Sequence, residues 1–146
     1  MRIQTRDLGV VTVAPDEVLT FVEPILGFEA NRRFVLLRAP QAEPFRWLQS
    51  LDNKELVFPV IPAEELPMSY EVDEQKLASL GAEGPDSLSA WIIVKFPRDG
   101  AGIQLNLRAP VVINRHNRLA CQIVLSDEWP TNHHMAVEAA AEVRVG

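Results

Sequence analysis

The stretch VVINRHNRLACQIVL, residues 111–125, carries the pattern that decides the fold. Its second half has apolar side chains at every other position: Leu119, Cys121, Ile123 and Leu125. Side chains two residues apart lie on the same face of a β-strand. The polar run Arg115–Asn117 separates this half from the apolar run before it, as the turn of a β-hairpin does. The stretch therefore predicts two paired strands with one apolar face.

The same pattern continues outward in both directions. Short apolar runs rich in β-branched and aromatic residues alternate with turn residues, and eleven prolines interrupt the chain. Further strands are predicted at residues 2–5, 10–13, 18–21, 34–38, 45–49, 56–61, 88–96 and 103–107. A turn is predicted at residues 98–102. Nine or ten short strands at regular spacing predict a mainly β protein, either a barrel or a sandwich.

One short helix is predicted within this β pattern. Asp73 has the side chain of an N-cap, Leu77 and Leu80 lie three residues apart on one helical face, and Gly81 suits a C-terminal stop. The Ala- and Glu-rich residues 136–145 are compatible with either a weak helix or a frayed tail.

The aromatic side chains of the stretch FRWLQSLDN, residues 45–53, are predicted to fill the core. Alternation places Phe45 and Trp47 on one strand face, which we expect to pack the interior. Trp91, which has apolar neighbours at strand spacing, is also expected to be buried. Gln49 and Ser50 are expected to hydrogen-bond the backbone, before a turn that begins at Asp52.

Composition and charge limit the function classes. A chain of 146 residues, 47% apolar and 23% charged, predicts one folded domain. The net charge of −6 opposes direct nucleic-acid binding and suits a basic protein partner. No signal peptide or long apolar run is present, and the single Cys121 suits a reducing compartment, so we expect a cytoplasmic location without membrane contact.

Residues with catalytic or metal-binding chemistry are present but scattered. His133 and His134 follow Asp127 and Glu128, as the ligands of a metal-dependent hydrolase would, yet no second ligand cluster supports them. Cys121 lies on an apolar strand face, which indicates a buried inert thiol rather than the partner of a catalytic histidine. We therefore expect no enzyme activity, no cofactor and no metal.

Three blocks of the chain resemble the FliW family of bacterial flagellar assembly factors. They are FVEPILGFEANRRFVLL (Phe21 to Leu37), FRWLQSLDNKELVFPVI (Phe45 to Ile61) and NLRAPVVINRHNRLACQIVL (Asn106 to Leu125). The resemblance implies a monomeric, single-domain antiparallel β-barrel-like protein with one short inserted helix. It extends over most of residues 1–130, which we expect to form the core of the domain, and leaves residues 131–146 as a C-terminal tail. It also implies that the protein binds CsrA, a small basic RNA-binding translational regulator, and relieves its repression of flagellin synthesis, and that it binds flagellin itself.

Acidic and turn residues on the predicted surface are the candidates for partner binding. They are Asp52, Asn53, Glu55, Glu64, Glu65, Asp127 and Glu128. For the Asp-Asn turn, ordinary turn chemistry is the competing explanation. Two other function classes remain open. A small-molecule-binding barrel would contain a large apolar cavity, and a hydrolase would bring histidine and carboxylate side chains together.

Overall fold

The computed structural model describes residues 1–38, 40–96 and 102–135. Within them, the single α-helix is α1 (Glu74–Ser79). Strands in this part of the chain are β1 (Arg2–Gln4), β2 (Val10–Thr12), β3 (Leu19–Phe21), β4 (Arg33–Arg38), β5 (Arg46–Ser50), β6 (Val57–Pro62), β7 (Leu88–Lys95), β8 (Ile103–Leu105), β9 (Val111–Asn114), β10 (Leu119–Gln122) and β11 (His133–Met135). The predicted turn at 98–102 lies outside the described residues except for its last position, and the predicted helix or tail at 136–145 lies outside them entirely.

Seven strands close into a barrel in the order β3, β4, β5, β6, β7, β9 and β10. Closure depends on the first half of β7, because Leu88 to Trp91 pair with β9 in antiparallel register. The ring is completed by β10, which pairs with β3 in parallel, Leu119 opposite Thr20. The predicted β-barrel-like fold with one short helix is confirmed, and this parallel pair is its one exception to antiparallel pairing.

The barrel interior is filled by apolar side chains. Phe34, Leu48 and Val60 are fully buried there, in one cluster with residues of β3, β9 and β10. The rings of Phe21 and Phe34 stack in a tilted arrangement with centroids 5.0 Å apart. A cluster of this kind stabilises the barrel by burying aromatic and branched surface, and it occupies the space that an internal ligand would need.

The predicted inward face of β5 is wrong. Leu48 points into the barrel and is fully buried, whereas Trp47 lies on the outer face, half-buried against Val35 and Leu37. The β1–β2 hairpin covers Trp47 from outside, and Phe45 packs in another outer cluster. Trp91 does face the interior cluster, but it is half-buried rather than buried. Because both faces of the barrel wall are covered, the alternation could not show which face was inside.

The helix and the chain around it cover the outer face of β9 and β10. Asp73 caps α1 by accepting a hydrogen bond from the Lys76 N–H at 2.8 Å, and Gly81 ends the helical segment at φ +64°, where side chains are disfavoured. Leu80 and Cys121 are fully buried beneath the helix. The predicted cap, stop and buried thiol are thus confirmed.

The second half of β7 leaves the barrel and forms a small outer sheet. Val94 pairs with Leu105 of β8, and β8 pairs with β11, so that His133 lies opposite Leu105. The first residues of the predicted tail therefore belong to a strand. Met135 packs in the outer cluster around Ile92 and Leu105.

Strand directions give the barrel two distinct ends. Rim A carries the loops at residues 13–18, 40–45, 63–87 and 115–118. Rim B carries the loops at residues 22–32, 51–56 and 106–110.

Candidate functional site

The predicted turn after β5 lies on rim B, and its first carboxylate holds the neighbouring loop. Asp52 accepts hydrogen bonds from the backbone N–H groups of Arg32 at 2.8 Å and Arg33 at 3.0 Å, and the Arg33 guanidinium lies 3.3 Å away. Partial burial raises the pKa of Asp52, but these three contacts outweigh burial and the net pKa is lowered. Asp52 is therefore already engaged in joining two loops.

Ser50 and Gln49 stabilise the same turn from within. The Ser50 hydroxyl donates to the Asn31 side-chain oxygen at 2.7 Å and accepts from the N–H groups of Asp52 and Asn53 at 3.1 and 3.0 Å. The buried Gln49 side chain donates to three backbone carbonyls and accepts from the Arg6 N–H at 3.1 Å. The expected closing of backbone hydrogen bonds by these two residues is confirmed.

Asn53 and Glu55 complete the turn and differ in what they leave exposed. The Asn53 side-chain oxygen accepts the Glu55 N–H at 3.0 Å, which is the ordinary turn chemistry considered above. The Glu55 side chain is exposed on rim B. A docking role for this turn stays a prediction, and Glu55 forms no ion pair within the described residues.

Glu64 and Glu65 lie at the opposite end of the barrel. They belong to a 3₁₀ turn, Ala63–Glu65, which directly follows β6, and both side chains are exposed. The six residues of β6 separate this turn from the rim B turn by about 20 Å, at roughly 3.3 Å per residue. The structure therefore does not bring the acidic residues of the Ala63–Glu65 turn close to those of the rim B turn.

Asp127 and Glu128 occupy a third place, in the turn before the outer sheet. Both side chains are exposed. Arg108 fixes this turn, because its guanidinium donates to the backbone carbonyls of Trp129 at 2.7 Å and Asp127 at 3.2 Å. The seven predicted partner-binding residues thus lie in three separate turns.

A groove on rim A brings together residues that no pattern in the sequence indicated as neighbours. Its volume is about 570 Å³, and it lies between residues 62–70, the start of β7 and the turn after β9. Its lining includes Glu43, Arg46, Glu64, Glu65, Tyr70, Trp91 and Arg115. These residues come from four chain segments, so no sequence spacing could have indicated the groove.

An apolar patch on rim B was also missed by the sequence reasoning. Leu26 and Val124 are exposed by 67% and 62%, and the Leu26 N–H donates to the Gln122 side chain, two residues from Val124, at 3.0 Å. Phe28 lies edge-on to Phe58, with ring centroids 5.0 Å apart. Exposed apolar side chains that lie near one another are typical of protein contact sites.

The residues considered for chemistry do not converge. Burial raises the pKa of the Cys121 thiol to about 11, while His116 is exposed in the turn after β9. His133 and His134 lie on β11. Across residues 1–38, 40–96 and 102–135, no three His, Cys, Asp or Glu side chains are grouped as a metal site would require. In the same residues, no helix has the length and apolar character needed to span a membrane.

A closed ring of seven strands with a filled interior and one short helix on its outer face defines a β-barrel protein. Comparison with known proteins identifies the family. The family model described as FliW protein matches residues 2–135. The chain belongs to the FliW family of flagellar assembly factors.

Individual relatives match over nearly the whole chain. The flagellar assembly factor FliW of Treponema denticola is 35% identical, and the match covers 99% of both chains. The FliW of Bdellovibrio bacteriovorus is 39% identical over 87% of this chain and 74% of its own. A crystal structure of the flagellar assembly factor FliW superposes with a TM-score of 0.84 at 29% identity, covering 93% of this chain and 97% of that one.

Proposed function

We propose that this protein is a non-enzymatic antagonist of the translational regulator CsrA that also binds flagellin, and so couples the flagellin level to flagellin translation. It acts as a monomer in the cytoplasm. The observation that carries the proposal is the match to flagellar assembly factors over 99% of the chain. The net charge of −6 supports a basic partner.

Separate surfaces support two partners. The acidic 3₁₀ turn at Ala63–Glu65 lies on rim A, whereas the apolar patch of Leu26, Phe28 and Val124 lies on rim B. An acidic surface favours a basic regulator, and an apolar patch favours apolar residues of flagellin. The filled interior gives no support to the alternative of a small-molecule-binding barrel.

The experiment is a calorimetric titration of purified CsrA into this protein, with and without saturating flagellin. We expect CsrA to bind, and flagellin to change its affinity by some factor. Linkage then requires that CsrA changes the affinity for flagellin by the same factor in the reverse titration. An unchanged CsrA affinity would refute the coupling, and absence of CsrA binding would refute the proposal as a whole.

Salt dependence supplies a second measurement. Complementary charge accelerates association, and this effect is screened beyond about 8 Å at physiological ionic strength. We therefore expect the association rate of CsrA to fall as salt is raised, while the dissociation rate changes much less. Stopped-flow measurements at several salt concentrations would test this, and a salt-independent association rate would exclude electrostatic steering.

A further inference from the structure

The excess negative charge of the chain is concentrated in one segment. Residues 63–87 contain seven acidic residues and one basic residue, a net charge of −6, whereas the remainder of the chain contains thirteen of each. All seven acidic side chains are exposed: Glu64, Glu65, Glu71, Asp73, Glu74, Glu83 and Asp86. We call residues 63–87 the acidic segment. Its charge accounts for the whole net charge of the protein.

The acidic segment covers part of the outer surface of the barrel. Its apolar residues pack against the outer faces of β7, β9 and β10, with Leu66 and Leu80 buried, so its charged residues point to solvent. Its one cation, Lys76, is paired at 2.7 Å with Glu23, which lies outside the segment. No acidic side chain of the segment is therefore paired with a cation of the same segment.

The groove on rim A lies along the start of this segment. Glu64 and Glu65 line it, and the half-buried residues Tyr70 and Trp91 are also in its lining. Burial raises the pKa of Tyr70, and the nearby Glu64 carboxylate raises it further while Arg115 opposes both. An acidic group and an aromatic ring thus lie close together in the groove.

The cations of the groove are already engaged. Arg46 pairs with Glu43 at 2.9 Å, and Glu43 also accepts from Arg38 at 2.7 Å. The Arg115 guanidinium donates to the backbone carbonyl of Asp86. Glu64 and Glu65 form no ion pair within the described residues. The lining therefore carries three carboxylates against two guanidinium groups, a net charge of −1, and Glu64 and Glu65 are the carboxylates available to a ligand.

We propose that this groove binds an extended basic segment of the protein partner, with an arginine or lysine side chain placed between the carboxylates and the aromatic rings. Carboxylates attract the cation, and Tyr and Trp rings add cation–π attraction. A second copy of this chain would bring the same net charge of −6 to the surface, so repulsion disfavours it. The inference rests on the proposed function in taking CsrA as the basic partner.

The test compares two double variants that remove equal charge. Glu64→Gln with Glu65→Gln changes the groove, and Asp7→Asn with Glu29→Gln changes two acidic residues outside the acidic segment. All four side chains are exposed, so both variants should melt like the parent. We expect the groove variant to raise the Kd for CsrA about tenfold, as the loss of two exposed charge pairs allows, and the control to change it less than about twofold.

Two results would overturn the groove assignment while leaving CsrA binding intact. One is a groove variant with the affinity of the parent, and the other is equal weakening by both variants, which would mean that only the overall charge matters. If the parent binds no CsrA, the proposed function fails. A fluorescent peptide of alternating arginine and alanine then decides the groove alone: binding that the groove variant loses supports a different basic partner, and no binding refutes the groove.

Discussion

Replacement of Gln49 by Met should destabilise the protein without changing the shape of the barrel wall. Gln49 is 1% exposed, and its amide nitrogen donates to the carbonyls of Ser50 at 3.0 Å, Lys54 at 3.0 Å and Leu56 at 3.2 Å. Its oxygen accepts the Arg6 N–H and so ties the N-terminal hairpin to β5. Met has a similar length but makes none of these hydrogen bonds.

The magnitude follows from what the substitution leaves without a partner. The Ser50 carbonyl bond is fully buried, and an unsatisfied buried group costs about 1–3 kcal/mol. The three partly buried bonds have access to water, and their loss together adds about 1 kcal/mol. The expected total is about 2–4 kcal/mol. For a chain of this size the unfolding entropy is about 0.3 kcal/mol/K, so the Tm should fall by about 7–13 °C.

The assay is urea and thermal unfolding of Gln49→Met beside the matched control Gln75→Met. Gln75 is exposed on α1, and its substitution should change stability by less than about 0.5 kcal/mol. Hydrogen exchange should also show faster exchange at the Arg6 amide in the Gln49 variant. If both variants unfold like the parent, the side chain of Gln49 does not hold the turn and the hairpin as described.

Three further predictions concern the core and the titrating groups. Leu48→Ala, inside the barrel, should cost about 2–5 kcal/mol in urea unfolding, and Trp47→Phe, outside it, less than half of that; the reverse order would contradict the assignment of faces. Cys121 should react with a disulfide reagent at pH 8 only after unfolding. The pKa of the Cys121 thiol is about 11 in the folded protein and about 8.5 in the unfolded chain, so the stability that it contributes is present below pH 8.5 and is lost as pH rises toward 11. Cys121→Ala should therefore reduce the fall in unfolding free energy between about pH 8.5 and pH 11. The pKa of Asp52 is lowered on folding, so Asp52 contributes stability above its unfolded pKa of about 3.9, and this stability is lost as pH falls through the folded pKa. Asp52→Asn should therefore make the loss of stability with acid less steep. An identical acid slope in the variant would contradict this.

Local chemistry made much of the fold predictable. The helix begins at Asp73 and ends before Gly81 because a side-chain cap and a left-handed glycine act within one turn of the chain. The placement of Cys121 under an apolar cover followed from strand alternation, which needs only neighbouring residues. The exposure of the acidic doublets followed from their charge.

The candidate site was predictable in its parts but not in its arrangement. Glu64, Asp127 and Glu55 are all exposed as expected, yet they lie in three separate turns. Asp52 was expected to be available for docking, and the structure shows its carboxylate bound to the backbone of Arg32 and Arg33. A sequence records which side chains are charged, but it does not record which partners reach them.

The sequence by itself determined the approximate positions of ten of the eleven described strands, the short helix, the net charge and the family, because each depends on residue identity or on contacts between near neighbours. Only the tertiary structure decided that Leu48 and not Trp47 faces the interior, since both faces of β5 are covered by apolar neighbours. Barrel closure through the parallel pair of β3 and β10, and the meeting of Glu64, Trp91 and Arg115 in one groove, join residues far apart in the chain. Such contacts depend on how the strands close, and no local pattern specifies them.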